Sequence, residues 1–223
     1  MGVIFSMASD LILTRVVFDG ADRRARHILA SRERLHALVE AALDAGGSDK
    51  AVRRLWRLDR TPRGMVLYIL ADRAPSSDML RAQLGCAVTS KPYGPFLDSL
   101  AAGGTLRLEM MVCATHSVDG RRVPLPADER GEWVRRQLAA AGCEPVSVRI
   151  TGSDDLRFGR RGRMVSLRAF RVEAVVRVAD PDAVRVLLTR GLGRAKGYGL
   201  GMVCPSRVRS GPRRMMYAAM LDN

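Results

Sequence analysis

The pattern of apolar and polar positions predicts a strand and then a helix near the start of the chain. The segment DLILTRVVF, residues 10–18, is rich in β-branched residues and is typical of a strand. From Ser31, the segment SRERLHALVEAAL places its apolar residues three and four positions apart, as one face of a helix requires, and Ser31 occupies the expected N-cap position. The arginine-rich stretch ADRRARHILA, residues 21–30, is interpreted as the loop between these two elements.

Two more strands, a helix and a final strand complete a first structural unit. Residues 53–59 and 64–71 predict two strands joined by a tight turn, and residues 76–84 predict a short helix. The segment 86–90 supplies a fourth strand, so the order of this half is βαββαβ. The Pro- and Gly-rich segment KPYGPFLDSLAAGG, residues 91–104, is interpreted as a linker.

The second half of the chain repeats the same order of elements. Strands are predicted at 105–113, 146–150, 165–178 and 200–204, and helices at 128–142 and 180–190. The sequence therefore predicts an α+β protein built from two tandem ferredoxin-like (RRM-like) domains, over residues 1–95 and 104–223. This fold commonly binds RNA, although the fold alone does not determine a function.

The charge of the chain points to a polyanionic partner. The 223 residues carry a formal net charge of +14, and a field of that sign and size is typical of proteins that bind nucleic acid. Arginine greatly outnumbers lysine, which indicates a GC-rich genome and accounts for part of the excess. The apolar fraction of 47% predicts a globular chain.

Composition and the spacing of the cysteines exclude several classes of protein. No run of 18 apolar residues occurs, and the N-terminus lacks a basic region followed by an apolar one, so neither a membrane span nor a secretory signal peptide is predicted. Residues 1–6 (MGVIFS) are interpreted as a start-site extension. Cys86, Cys113, Cys143 and Cys204 stand far apart without a C-x-x-C motif, which favours buried thiols in a reducing cytoplasm over disulfides or a zinc site.

The segment GLGRAKGYGLG, residues 191–201, has five glycines in eleven positions. Glycines at this density expose backbone N–H groups and allow close approach to an anion. A dinucleotide-binding fingerprint would follow a strand and open a helix, whereas this loop follows a predicted helix and precedes a strand. The pattern therefore favours an anionic ligand other than a nucleotide cofactor.

Three segments resemble the CasE family, the CRISPR repeat-RNA endoribonucleases of subtype I-E systems. They are RLWRLD (54–59), GRRVPL (120–125) and GLGRAKGYGLGMV (191–203), and the last is similar to the family's C-terminal glycine-rich signature. The resemblance implies that this loop faces a phosphodiester backbone. It also implies a repeat RNA hairpin and the other subunits of the type I-E interference complex as partners, no cofactor, no membrane, and a cytoplasmic location.

Metal-free RNA cleavage needs proton transfer and positive charge near the phosphate. Histidine suits the proton transfer, and the candidates are His27, His36 and His116. A lone histidine beside an apolar helix face is most often structural, but His36 corresponds to the active-site histidine of the family's Y-x-x-H motif. Glu33 stands where that motif has tyrosine, and Arg32 and Arg34 are close enough in sequence to restore positive charge. His36, Glu33 and Arg34 are therefore the predicted catalytic residues, and no metal site is predicted.

Arginine side chains are the predicted RNA contacts. The segment RFGRRGR, residues 157–163, lies between two predicted strands and is interpreted as a basic hairpin set against an RNA groove, the alternative being a solvated tip. The predicted RNA-binding residues are Arg23, Arg24, Arg26, Arg157, Arg160, Arg161, Arg163, Arg194 and Lys196.

The function expected from these patterns is a metal-independent endoribonuclease. The resemblance implies cleavage of CRISPR precursor RNA at repeat hairpins, leaving a 5′-hydroxyl and a 2′,3′-cyclic or 3′-phosphate, with the enzyme staying bound to its product. The alternative is a catalytically impaired RNA-binding structural subunit, which Glu33 favours. A metabolic enzyme with a phosphate-binding loop would explain the glycines but neither the charge nor the duplicated pattern.

Overall fold

The computed structural model describes residues 10–44, 54–160 and 162–207. These residues form two compact units. Unit 1 comprises the described residues up to Asp98, with Arg157–Ser166 and Lys196–Gly199. Unit 2 comprises Ser99–Leu156, Leu167–Ala195 and the described residues from Leu200. The predicted start-site extension (1–6), Arg53 and Arg161 lie outside the described residues.

Unit 1 has the predicted βαββαβ order with two additional short helices. Its strands are β1 (Ile12–Phe18), β2 (Leu55–Thr61), β3 (Gly64–Ala71) and β4 (Ala87–Pro92), and its helices are α1 (Arg23–Leu29), α2 (Arg32–Asp44), α3 (Ser77–Leu84) and α4 (Gly94–Asp98). The sheet order is β2-β3-β1-β4 with antiparallel neighbours. Val16 of the central β1 pairs with Leu67 of β3 and Val88 of β4.

The core of unit 1 lies between one face of this sheet and the helices. Val16 and Leu67 are fully buried there together with Leu35 and Val39 of α2. Alternation along the strands and three- to four-residue spacing along α2 place all of these side chains on facing surfaces. Burial of each large aliphatic side chain stabilises the unit by about 1.5 to 3 kcal/mol.

Unit 2 repeats the plan. Its elements in chain order are β5 (Thr105–Val112), β6 (Thr115–Val118), β7 (Arg121–Pro124), α5 (Arg130–Ala140), β8 (Cys143–Arg160), β9 (Arg163–Val178), α6 (Pro181–Arg190) and β10 (Val203–Arg207), except that the tip of the β8–β9 hairpin within Arg157–Ser166 belongs to unit 1. The four-stranded sheet has the order β10-β5-β9-β8, and β6 and β7 form a separate antiparallel pair. Since both sheets share one connectivity, the prediction of an α+β protein with two tandem ferredoxin-like folds is confirmed.

The predicted loop at 21–30 is wrong, because most of this segment forms α1. Asp22 caps the helix by accepting a hydrogen bond from the backbone N–H of Arg24. The Arg24 guanidinium and that bond hold the pKa of Asp22 below its ordinary value. Ala25 and Ile28 are buried three positions apart, so one face of the helix anchors the arginine-rich segment to the core.

The predicted linker at 91–104 is also folded. Its first residues end β4, and Gly94–Asp98 forms α4. Tyr93, Leu97 and Leu100 are buried, with the Tyr93 amide donating to the carbonyl oxygen of Leu11. The proline and glycine content predicted an unpacked linker, but three buried apolar side chains anchor this segment to the fold.

Two strands differ from their predicted bounds by three or more residues at each end. β8 runs over Cys143–Arg160, whereas a strand was predicted only at 146–150. Partly buried and exposed residues alternate along β8, and almost none is fully buried. Such a pattern lacks the apolar run that marks a core strand. β10 begins at Val203 rather than 200, because Gly199 and Gly201 have φ of +75° and +82° and keep the chain out of extended geometry.

Within the described residues the cysteines form no disulfide, and Cys113, Cys143 and Cys204 are buried as predicted, whereas Cys86 is partly exposed. Burial raises the pKa of Cys143 to about 11. Among the helices in the described part of the chain, none is both long and apolar enough to cross a bilayer.

Candidate active site

His36 lies on α2, one position beyond the buried Leu35. The helix start is fixed by Ser31, whose hydroxyl accepts a hydrogen bond from the Glu33 amide at 3.2 Å. The His36 side chain is 32% exposed, so the imidazole lies at the surface of unit 1 with part of its ring shielded. This placement leaves the ring accessible to a ligand while the helix anchors its backbone.

A short turn of the glycine-rich loop packs against this imidazole. Lys196–Tyr198 forms a 3-10 turn that contacts α2 and β2. The Tyr198 ring meets the His36 ring edge-on, with centroids 6.0 Å apart. A Cβ at Gly197 would lie 3.7 Å from Cε1 of His36 and 3.9 Å from Nε2, so the turn runs along that edge of the imidazole.

Trp56 of β2 packs against this turn. It is 1% exposed. A Cβ at Gly199 would lie 2.5 Å from Cε3 of Trp56, so only glycine fits there, and its φ of +75° also favours glycine. The tryptophan of the RLWRLD segment and a glycine of the C-terminal loop therefore form one packed contact beside His36.

The tip of the β8–β9 hairpin belongs to the same unit and adds charge to the site. Phe158 is buried against Tyr198, with ring centroids 4.6 Å apart. Cζ of Arg160 lies 5.6 Å from the Tyr198 ring centroid, a cation–π distance, and its Nε lies 3.9 Å from Oε1 of Glu33. Arg160, Glu33, Tyr198 and His36 thus meet in one place.

Behind the imidazole, a carboxylate and an arginine form a second contact network. Nδ1 of His36 lies 3.8 Å from Oε1 of Glu40, one helical turn further along α2. The other Glu40 oxygen accepts from Nη1 of Arg54 at 2.5 Å, and Arg54 also donates to Asp44 at 2.7 Å. Although burial opposes its charge, the hydrogen bonds to Asp44 and Glu40 raise the pKa of Arg54 above its ordinary value.

The structure brings only part of the predicted set of residues together. Arg34 is two positions from His36, so the two side chains leave the helix in different directions. Its Nη1 donates to the carbonyl oxygen of His27 at the end of α1, at 3.0 Å. His27 is exposed, and His116 is partly buried on β6 in unit 2.

The remaining predicted RNA-binding arginines that the structure describes are exposed but lie on several elements. Arg23, Arg24 and Arg26 are on α1, Arg157 and Arg163 flank the hairpin tip, and Arg194 is in unit 2. Arg24 is paired with Asp22 at 3.3 Å, and the backbone amide of Arg194 donates to the carbonyl oxygen of Cys113 at 3.0 Å. Arg161 lies outside the described residues.

Four residues of this site were not predicted from the sequence: Tyr198, Phe158, Glu40 and Arg54. Glu40 could have been predicted from the sequence, because a carboxylate four residues after a histidine lies on the same face of a helix. Tyr198 is the one aromatic residue of the glycine-rich loop. Its contact with the hairpin joins segments about forty residues apart, which no local pattern reveals.

The arrangement suits proton transfer next to an anion. His36 offers an imidazole, Arg160 offers a guanidinium, and the Lys196–Tyr198 turn, which contains a lysine and a glycine, packs against the imidazole. Within 10–44, 54–160 and 162–207, no group of three or more His, Cys, Asp or Glu side chains is placed to hold a metal ion.

Gly199→Ala is expected to displace the turn from Trp56 and to destabilise the fold. A side chain there combines left-handed backbone geometry with overlap against a buried ring, for a loss of about 2 to 5 kcal/mol of unfolding free energy. Gly120→Ala is the matched control, since Gly120 has φ of +74° and nothing within 4 Å of an added Cβ. Denaturant midpoints of both variants measure the difference, and equal losses would mean that the Trp56 contact contributes nothing.

Comparisons with known proteins agree with this architecture. A family model described as CRISPR associated protein matches residues 11–204. The curated relative "CRISPR-associated endoribonuclease Cse3" of Thermus thermophilus is 27% identical over 210 residues, which cover 86% of this chain and 97% of the relative. The likeness therefore extends over both units.

Solved structures show the same fold. The CRISPR endoribonuclease Cse3 bound to a 19-nucleotide RNA matches with a TM-score of 0.78 at 26% identity, covering 88% of this chain and 99% of that chain. A chain of a CRISPR RNA-guided surveillance complex matches with a TM-score of 0.59 at 23% identity, covering 88% and 100%. At the lower identity, the second likeness concerns the fold alone.

Proposed function

The chain belongs to the family of CRISPR-associated proteins, as its resemblance to the CasE endoribonucleases predicted, and on this premise we propose that it is an endoribonuclease that cleaves CRISPR precursor RNA at repeat hairpins. The enzyme gives mature guide RNA and stays bound to its product as a subunit of a type I-E interference complex in the cytoplasm. Its relative Cse3 carries the name of a CRISPR-associated endoribonuclease, and Cse3 binds RNA in a solved structure.

The observation that carries the proposal is the meeting of three chain segments around one imidazole. His36 comes from α2, Tyr198 from the glycine-rich loop and Arg160 from the basic hairpin. An imidazole beside cationic side chains suits RNA cleavage, because a proton must move while charge builds up on a phosphate. The net charge of +14 supplies long-range attraction for the substrate.

In the proposed reaction, the 2′-hydroxyl of the scissile nucleotide is the nucleophile. Nε2 of His36 takes its proton, the 2′-oxygen bonds to the adjacent phosphorus, and the bond from phosphorus to the 5′-oxygen of the next nucleotide breaks. The imidazolium so formed is the local source of the proton that the departing 5′-oxygen receives. Lys196 stabilises the charge that builds up on the phosphate, and Arg160 helps to hold the RNA in place. The products carry a 2′,3′-cyclic phosphate, which can open to a 3′-phosphate, and a 5′-hydroxyl.

The predicted division into domains of residues 1–95 and 104–223 gives each part a role in this proposal. The first carries the helix with His36, and the second supplies the basic hairpin and the glycine-rich loop. The hairpin tip and the Lys196–Gly199 turn pack within unit 1, beside that helix. The domain boundaries stay a prediction.

End-labelled repeat RNA from the host tests the proposed function directly. We expect one cut, on the 3′ side of the hairpin stem, and retention of the upstream product by the protein. The matched control is the same RNA with base changes that prevent the stem from forming. Cleavage of both RNAs at many positions would indicate a non-specific ribonuclease and overturn the proposal.

A second candidate function is an RNA-binding structural subunit without cleavage activity. The observation that favours it is the carboxylate of Glu33, which lies 3.9 Å from Arg160 beside His36 and would repel the scissile phosphate. Glu33→Tyr distinguishes the two functions. If the wild-type chain binds repeat RNA without cutting it and this variant cuts, the structural role is the correct one.

Lys196 and the hairpin arginines are expected to act in different ways. Lys196→Ala should lower the single-turnover rate at saturating protein as well as weaken binding, because the lysine lies in the turn beside His36. Joint replacement of Arg160, Arg161 and Arg163 by Ala should chiefly weaken binding, because these three residues hold most of the positive charge of the RFGRRGR segment. The logarithmic salt dependence of binding should flatten by about one unit per lost phosphate contact.

Binding at several salt concentrations, beside single-turnover rates, measures both variants. If the triple variant binds as the wild type does with an unchanged salt dependence, the hairpin is a solvated tip and the RNA lies elsewhere.

A further inference from the structure

We propose that Glu40 is the residue that orients His36, and that Arg54 holds Glu40 in place. This inference rests on the proposed function, because it assigns a role to a contact of the proposed catalytic imidazole. In it, the Glu40 carboxylate accepts a hydrogen bond from Nδ1–H of His36 and leaves the unprotonated Nε2 to work on the RNA. Glu40 is a positioning residue, since it contacts the imidazole and not the substrate.

The two ring nitrogens of His36 have different surroundings. Nδ1 is shielded from solvent, and among the described residues it has no hydrogen-bond partner within the usual distance. Oε1 of Glu40, at 3.8 Å, is the acceptor placed to satisfy it. Catalytic hydrogen bonds are often long before substrate binds and shorten in the complex. A shielded donor facing a carboxylate favours the tautomer with its proton on Nδ1.

Nε2 faces the glycine-rich turn instead. A Cβ at position 197 would lie 3.9 Å from Nε2, so the absence of a side chain at Gly197 leaves room beside that nitrogen. The turn carries Lys196, and Arg160 lies close to Tyr198 on the same side of the unit. The nitrogen that the contact with Glu40 leaves unprotonated is therefore the one beside the turn that contains Lys196.

Arg54 restricts where the Glu40 carboxylate can go. Its side chain is 8% exposed, and its guanidinium bridges Glu40 at 2.5 Å and Asp44 at 2.7 Å. Charge-assisted hydrogen bonds are stronger than neutral ones, and the low dielectric around a buried guanidinium strengthens them further. Glu40 is thus fixed between Arg54 and His36, as a carboxylate that orients a catalytic histidine must be. Asp44 makes the same kind of pair with Arg54 without an ion-pair contact to His36.

This difference between two carboxylates gives a matched pair of variants. Glu40→Ala should lower the single-turnover rate on repeat RNA at saturating protein by about tenfold or more, the usual cost of removing a group that orients a functional histidine. RNA affinity should stay within about threefold. Asp44→Ala should cleave within about twofold of the wild type, because it loosens Arg54 but leaves Glu40 beside the imidazole. Equal rate losses in the two variants would overturn the proposal and assign both carboxylates to stability alone.

Nitrogen NMR of the ring tests the same claim without any RNA. In protein labelled with nitrogen-15 at histidine, the His36 signals are assigned by their loss in His36→Ala. At a pH where the ring is neutral, we expect Nδ1 to carry the proton in the wild type and in Asp44→Ala, and the proton to move toward Nε2 in Glu40→Ala. A proton on Nε2 in the wild type, or a spectrum that Glu40→Ala leaves unchanged, would overturn the assignment. Because this readout needs no cleavage, a wild-type chain that fails to cut RNA would count against the proposed function and not against the role of Glu40.

Discussion

His36→Ala is expected to lower the single-turnover rate of repeat RNA cleavage by about a hundredfold or more, the usual effect of removing a positioned acid or base. RNA affinity should change by only a few-fold, since the imidazole contributes one of many contacts and no fixed charge when neutral. Rates are measured with protein in excess over labelled RNA, and dissociation constants by titration at the same salt concentration. The variant should therefore lose cleavage rate and keep most of its affinity for RNA.

His27→Ala and His116→Ala are the matched controls for this variant. His27 is exposed at the end of α1, and His116 lies on β6 in unit 2, so neither belongs to the group of side chains around Tyr198. Both variants should cleave within a few-fold of the wild type. A large loss in His27→Ala with an active His36→Ala would show that the assignment of the catalytic helix is wrong.

A 2′-deoxy substitution at the scissile nucleotide is expected to stop cleavage at that bond completely. The proposed nucleophile is the 2′-oxygen, and without it no cyclic phosphate can form. Binding should be nearly unchanged, because one lost hydroxyl removes little of an interaction dominated by phosphates. The same substitution one nucleotide away is the control, and it should leave the rate within about twofold.

Analysis of the product ends completes this experiment. We expect the deoxy-substituted RNA to remain uncut. The upstream product of the unmodified RNA should end in a cyclic phosphate or a 3′-phosphate. Continued cleavage of the deoxy-substituted RNA would mean that water attacks the phosphate and that His36 has another role.

The fold could be predicted from the sequence wherever local patterns reflect burial. The helical spacing after Ser31 predicted α2, and the repeated order of strands and helices predicted two ferredoxin-like folds. These signals are strong because each element buries one face against its own sheet. The arginine-rich segment α1 was misassigned, because its two buried residues, Ala25 and Ile28, are outnumbered by exposed arginines.

The candidate site was predictable only in part. His36 and the glycine-rich loop came from motifs, but the packing of Gly199 on Trp56 depends on tertiary structure. The contact between Tyr198 and the hairpin residue Phe158 joins two distant segments, and sequence spacing gives no measure of it. Side-chain direction also decides roles, since Arg34 bonds to His27 although it is two residues from His36.

Single-turnover cleavage of the host's own repeat RNA in excess EDTA tests the central claim most directly. We expect one cut at the hairpin, at a rate within about twofold of that measured with magnesium, because His36 and the cationic side chains around it carry out the chemistry. Cleavage that occurs only when magnesium is supplied would contradict it.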